Sequence, residues 1–416
     1  LYVNLCAWSQ YLSEILINSP GMIDELLDSL ILNRPPTRQM VAAELARLLK
    51  GAQDIHPILF SFKSTRLLEI GIQDIMGKRE LGETLTNLSD LAEVILSAII
   101  DHHWQAMVER YGEPMQAGQS NRKAYFALVG LGKLGGSELG YHGDLDVILL
   151  YETDGQTAPR KKSPTSPLSN FDFYTELLQR VVKTASTMTA GGRLYSIDLR
   201  LRPMGRSGSL ASPLFRFDDY FKTSASLWER QAMLRARVIY GDQAFAKTAT
   251  ASLRQAAIGA PWNKSFADDV VQMRKRLESG RLRSEADIKR GKGGEADVEF
   301  AVQLAQLRHG AQHPAVLQAN TWKAIDSLEN AGLWPKERAK LFRNGYSLLR
   351  LVESRLRIVY NLARNDIPAD PDEQDKLAQR TGYASGADLL ADLSRTMDSL
   401  REEFLATAQE LQNEST

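Results

Sequence analysis

The sequence predicts an α+β protein, with a small mixed sheet held between N-terminal helices and a C-terminal helical bundle. Three observations predict it. Apolar residues recur at three- and four-residue spacing through much of the first 110 positions. Between Lys123 and Leu201 that spacing largely gives way to short apolar runs and a glycine-dense turn. Beyond Asp242 helical spacing returns and persists almost to the end. At 416 residues the chain exceeds a usual domain by about two- to fourfold. The predicted division is an N-terminal helical region at 1–110, a catalytic domain at 111–260 and a helical bundle at 261–416.

Taken in order, helices are predicted over Trp8 to Leu32, Arg38 to Leu49 and Thr84 to Arg110. A β-rich run follows at Ala124 to Val129, then glycines to Gly143 and a second apolar run at Val147 to Tyr151. Thr153 to Asn170 holds three prolines and the basic residues Arg160, Lys161 and Lys162, so an exposed loop is expected. Phe171 to Met188 reads as a helix, and Arg193 to Leu201 alternates as a half-buried strand does. Five more helices are expected at Phe266 to Leu282, Ala296 to Arg308, Thr321 to Ala331, Lys336 to Ala363 and Ala387 to Leu411.

Composition narrows the function. With 51 basic and 51 acidic residues, no net field draws in nucleic acid or an anionic membrane. The apolar stretch Leu91 to Ile100 falls far short of the roughly 20 residues that span a bilayer. The single cysteine, Cys6, rules out an intrachain disulfide and a Cys-based zinc site, fits a reducing cytoplasm, and reads as a small buried hydrophobe. The chain opens on Leu1 with no basic leader or cleavage signal, as expected of a piece of a longer protein.

The chemistry concentrates between Val129 and Val147. Gly130, Gly132 and Gly135 form a GxGxxG, which alone suggests a dinucleotide site. That fold needs a full crossover helix before the next strand, and too few residues separate Gly136 from Asp144 for one. The other reading makes Gly135, Gly136 and Ser137 a turn that holds phosphate oxygens, followed by Asp144 and Asp146. Side chains alternate along a strand, so the two carboxylates share one face while Leu145 enters the core. Crowded carboxylates call for a cation, and hard oxygen ligands suit Mg²⁺, with Mn²⁺ the alternative. Two-metal phosphoryl chemistry wants a further carboxylate, and Asp198 is the best candidate. Asp198, Arg200 and Arg202 are expected on one strand face, the arginines receiving departing phosphate charge. Each signal has a plain alternative as a solvated strand face; their combination favours a site.

These motifs resemble the polymerase-β-type nucleotidyltransferase superfamily, whose signature is Gly-Gly-Ser followed by Asp-x-Asp. Within it, Gly132 to Asp146, Asp198 to Pro203, Trp228 to Ala232 and Ile288 to Phe300 resemble the glutamine synthetase adenylyltransferases. The resemblance implies a polymerase-β-like catalytic domain, ATP as substrate, glutamine synthetase as protein substrate, and control by the PII signalling protein and by glutamine. Members carry two similar units, one removing AMP by phosphorolysis and one adding it. Glu138-Leu139-Gly140-Tyr141, Gln231-Ala232, Arg235 to Asp242 and the lead-in Pro20 to Asp28 resemble the adding unit. Lys289 to Gly294 lacks acidic residues that some adding units place there, so it does not separate the two activities.

Under this resemblance Asp144, Asp146 and Asp198 bind metal, with Asp198 taking a proton from the attacking tyrosine. Gly135, Gly136, Ser137, Lys133, Arg200, Arg202 and Lys289 surround the nucleotide, with Asp297 and Glu299 near the cleft. Lys133 reads equally as a solvated lysine, and the Lys289 loop as a plain helix cap. Trp228 and Glu229 read as packing and helix-start residues. His142 receives no role. His309 and His313 sit at metal-ligand spacing, but Gly310 and Pro314 break the helix that spacing needs. The AMP-removing reaction, a nucleic-acid nucleotidyltransferase and a non-catalytic scaffold stand as the alternatives. A primer-binding enzyme should show a basic track, and a scaffold should have lost a carboxylate.

Overall fold

The computed structural model describes residues 8–18, 21, 36–158, 166–189, 192–280 and 287–414. Cys6, most of Pro20 to Asp28, the end of the helix expected to Leu32, and Arg160, Lys161 and Lys162 lie outside them.

Helices α1 (Gln10–Asn18), α2 (Arg38–Leu49), α3 (His56–Ile75) and α4 (Leu81–Tyr111) come first. Thr37 caps α2 by accepting from the Met40 amide at 3.3 Å. Pro57 stands in the first turn of α3, and Asp54 accepts from the His56 amide at 3.0 Å. No helix was expected at α3, although it buries Leu59, Phe62, Leu67, Leu68 and Ile72. Gly112 ends α4 at φ 85°, a conformation that favours glycine.

A small sheet of β1 (Glu113–Gln116), β2 (Gln119–Lys123) and β5 (Thr157–Ala158) was also unexpected; its short, polar strands give almost no apolar alternation. It draws part of the Thr153 to Asn170 segment into pairing.

The main sheet comprises β3 (Phe126–Gly130), β4 (Leu145–Tyr151), β6 (Ile197–Asp198), β7 (Ala211–Pro213) and β8 (Arg237–Gly241). Antiparallel β8, β3 and β4 lie side by side, and β6 and β7 share the outer edge of β4, both parallel to it. The sheet is therefore mixed, as expected. Alternation along β3 and β4 feeds two cores. Phe126, Leu128, Val147 and Leu149 join a core containing residues of α1 to α4 and of α6 (Asn170–Ser186). Ala127, Val129, Ile148 and Leu150 face α7 (Leu214–Thr223), α8 (Leu227–Met233) and α9 (Gln243–Ile258). Ser226 and Glu229 form a reciprocal capping box at the start of α8, so Glu229 is the helix-start residue that was expected.

A third core gathers α10 (Ser265–Ser279), α11 (Glu295–His309), α12 (Thr321–Asn330), α13 (Lys336–Tyr360), α14 (Pro371–Thr381) and α15 (Gly386–Asn413). Five of these match predicted helices closely; α14 was not expected. His309 ends α11 and His313 lies beyond it, so the pair does not share a helix face. Among the described residues, no helix is long and apolar enough to cross a membrane.

The strand expected from Arg193 to Leu201 is the clearest correction. Only Ile197 and Asp198 pair. The Arg200 amide donates to the Asp198 side chain at 2.8 Å, a local bond that turns the chain out of the sheet. Arg200 and Arg202 therefore do not lie on a strand face with Asp198.

Candidate active site

The site forms where β3 leaves the sheet and β4 enters it. After Leu131 a single helical turn, α5 (Gly132–Gly135), reverses the chain. Gly132 has φ 52°, and a Cβ there would stand 2.7 Å from Asp146 Oδ2. Gly135 packs closer still: a Cβ would stand 1.8 Å from the Arg235 carbonyl oxygen and 2.5 Å from that of Gly130. These two positions need glycine for different reasons, a left-handed backbone in one and lack of room in the other.

Arg237, at the start of β8, holds the turn from behind. Its Nε donates to the Gly135 carbonyl at 2.9 Å, and its Nη2 donates to the Leu134 carbonyl at 3.0 Å and to Ser137 Oγ at 2.9 Å. Arg237 in turn pairs with Glu93 of α4, which also pairs with Arg38 at 2.5 Å. The amides of Gly135, Gly136 and Ser137 donate to Leu131, Gly132 and Leu134 carbonyls at 2.9, 3.1 and 3.1 Å. They close the turn expected to hold phosphate oxygens, and the Ser137 hydroxyl oxygen accepts from Arg237 behind it. Arg237 was missed as a site residue; a basic residue opening a strand was the available signal.

Across from the turn, Asp146 and Asp198 are direct partners on adjacent parallel strands. Asp144 precedes β4 and is exposed, Asp146 is half-buried, and Leu145 between them is fully buried, as the alternation required. Burial, then the charges of Asp198 and Asp144, push the Asp146 carboxyl up to about 6, with Lys289 and Arg200 opposing. Lys289, half-buried, is held below its ordinary range chiefly by burial. Asp198 moves the other way: hydrogen bonds from Arg200 hold it below the usual carboxylate range. Arg200 Nε donates to Asp198 Oδ2 at 2.7 Å and to Oδ1 at 3.0 Å. Arg202 folds back on its own loop, donating to the carbonyls of Leu199, Arg206 and Gly208 at 2.7, 2.9 and 2.9 Å.

The residues present suit a divalent cation by chemistry. Asp146 is made unusually basic by burial and then by the charges of Asp198 and Asp144, and all three donors are hard oxygens. Among the described residues, no three acidic, histidine or cysteine side chains are gathered tightly enough to hold an ion as they stand.

Behind the turn lies a buried polar junction with the C-terminal helices. Lys133, expected beside phosphate, pairs instead with Glu295 at 2.8 Å and Glu299 at 2.5 Å and donates to the Tyr346 hydroxyl at 2.7 Å. Glu138 is fully buried, paired with Arg235 at 3.0 Å and accepting from the Thr321 amide at 2.5 Å and Tyr346 at 2.6 Å. Arg350 donates to the Glu138 carbonyl at 2.6 Å, and Arg357 to that of Tyr141 at 3.2 Å. Asp297, expected at the cleft, is buried against Arg274 at 2.5 Å and Arg401 at 3.1 Å. Glu299 serves the same junction through Arg235 at 2.9 Å. Charged groups bury this way only when paired, so these residues join the two parts of the fold.

Residues 1–252 match the family model of glutamate-ammonia ligase adenylyltransferase, and residues 265–409 match that of GlnD PII-uridylyltransferase. Among curated relatives, a protein of Thioalkalivibrio sulfidiphilus (strain HL-EbGR7) is 34% identical over 371 residues, covering 85% of this chain and 38% of that protein. One from Pasteurella multocida (strain Pm70) is 35% identical over 325 residues, covering 76% and 32% respectively. Both carry the name bifunctional glutamine synthetase adenylyltransferase/adenylyl-removing enzyme. The chain thus spans about a third of the length of the curated relatives it matches.

Proposed function

Because the chain belongs to the glutamate-ammonia ligase adenylyltransferase family, we propose that it transfers AMP from ATP to a tyrosine of glutamine synthetase. The observation that carries the chemistry is the register of Asp146 with Asp198, beside Asp144 and against the Gly132 turn. In the proposal Asp144, Asp146 and Asp198 hold Mg²⁺ or Mn²⁺. A cation bound there would neutralise phosphate charge and would make a phenol, whose ordinary pKa is about 10, easier to ionise near neutral pH.

Asp198 is the carboxylate that accepts the phenol proton once Arg200 leaves it. Lys289 and Arg200 face the phosphates, and the Gly132 to Ser137 turn forms the wall on which the triphosphate lies. Residues 1–110 buttress the turn through Glu93, 111–260 carry the chemistry, and 261–416 lock the turn from behind. The match of 265–409 to the PII-uridylyltransferase model supports a contact with PII there, and control by glutamine and a cytoplasmic location complete the reading. The addition of AMP is favoured over its removal by the wording around Glu138 to Tyr141.

The test is incubation with α-³²P-labelled ATP, Mg²⁺ and unmodified glutamine synthetase. Label on a synthetase tyrosine is the expected result. Release of ADP from adenylylated synthetase and phosphate, with no labelling, would assign the removing reaction instead. A finer test concerns Gly132→Ala. The left-handed backbone and the 2.7 Å approach to Asp146 Oδ2 mean the new methyl must displace the carboxylate. Transfer is expected to fall about 10²-fold, the usual effect of misplacing a reacting group by about an ångström. Far-UV circular dichroism alongside should stay unchanged.

A further inference from the structure

We propose that Arg200 is a clasp on Asp198 that nucleotide phosphates draw open, so that cation entry at the third carboxylate is coupled to nucleotide arrival. The inference rests on the reading of Asp144, Asp146 and Asp198 as cation ligands. Arg200 reaches both oxygens of Asp198 and, among the described residues, has no other side-chain partner. A guanidinium in that position does for the carboxylate what a cation would do: it neutralises it and fills both oxygens.

Two further observations show that the contact is able to open. The Arg200 side chain is 62% exposed against 15% for Asp198, so the guanidinium reaches Asp198 from the solvent side, where ion pairs hold weakly. Arg202, two residues on, is fixed by three carbonyls of the 199–208 loop, so the loop provides a firm base from which one arginine can swing and the other cannot. The charges of Asp144 and Asp146 also reach Arg200. When it withdraws, Asp198 stands uncompensated in register with Asp146, two residues from Asp144, and crowded carboxylates favour a divalent ion. The phosphates of ATP are what can attract Arg200 away, and the planar fork that grips a carboxylate grips a phosphate equally well.

The test is Mn²⁺ binding to the whole chain without nucleotide, followed by the electron paramagnetic resonance of free Mn²⁺. Arg200→Gln is expected to tighten Mn²⁺ by about two- to fivefold, the strength of an exposed pair. Arg200→Lys keeps the charge but loses the fork and is expected to tighten it as well. If only the glutamine variant tightens, charge alone accounts for the effect and the clasp is overturned. Arg200→Gln should also bind an unhydrolysable ATP analogue more weakly by calorimetry. Opposite signs for the two ligands support the clasp; weakening of both, or no change in Mn²⁺, overturns it. Asp198→Asn separates the two levels of the argument. If it leaves Mn²⁺ affinity unchanged, Asp198 is no cation ligand and the clasp falls with that reading. If it weakens Mn²⁺ while the Arg200 variants do not tighten it, the clasp alone falls.

Discussion

Asp146→Asn is expected to lower AMP transfer by at least about 10³-fold, the loss that follows when several kcal/mol of transition-state stabilisation by a cation disappear. No neighbour can replace this carboxylate. Asp146 lies against Gly132 on one side and in register with Asp198 on the other, and Leu145 beside it points into the core. Asparagine keeps the shape and removes the charge. Stability should move in the opposite direction. Folding raises the proton affinity of Asp146 to about 6, above the ordinary carboxylate range. The folded state then binds more protons than the unfolded state across that interval, so stability falls as pH rises through it. Above about pH 6 the ionised carboxylate opposes folding, a cost that asparagine does not carry. Thermal unfolding at pH 7 should show an unchanged or higher midpoint in a protein that no longer labels glutamine synthetase. A dead enzyme with a lowered midpoint would mean that Asp146 supports the fold.

The second large effect is expected in a residue that touches no substrate. Glu138→Ala should destabilise the protein by about 3–5 kcal/mol, the usual cost of leaving a buried charge without its partner. Glu138 is fully buried and answers Arg235, the Thr321 amide and the Tyr346 hydroxyl at once. Those nearby charges, Arg235 foremost and then Lys133, hold its carboxyl below the usual range in spite of complete burial. Its removal leaves Arg235 to Glu299 alone and strips the hydroxyl of Tyr346 of one acceptor. Urea titration with tryptophan fluorescence should show the loss as a lower midpoint. An unaltered midpoint would mean that the junction is hydrated and that the C-terminal helices are held by their apolar contacts.

How much of this could be read in the sequence depended on how local the determining force was. The long helices were legible because their apolar spacing is their cause: α2 falls where Arg38 to Leu49 was expected, and α4 within a few residues of its prediction. Asp144, Leu145 and Asp146 were legible for the same reason, since alternation on one strand fixes which side chain is buried. Asp198 lies on a strand in register with Asp146, but the strand through Arg200 was not there, because a side chain accepting from the amide two residues on competes with sheet pairing. The surroundings of Lys133 and Glu138 were not legible, for reasons of distance. Their partners Glu295, Glu299, Thr321 and Tyr346 stand more than 150 positions away, and nothing beside Lys133 distinguishes a lysine bound for burial from one bound for water.

Glu93 has a consequence for anyone who would move this chemistry elsewhere. It sits on α4, before the sheet begins, yet it is the acid that holds Arg237 while Arg237 holds the glycine turn. The sheet is therefore not a portable cassette. A graft starting at Glu113 would carry every carboxylate of the site and leave behind the acid that braces its floor. Chimaeras or trimmed versions that keep α4 should retain the turn, and those that begin after it should inherit the residues without their arrangement.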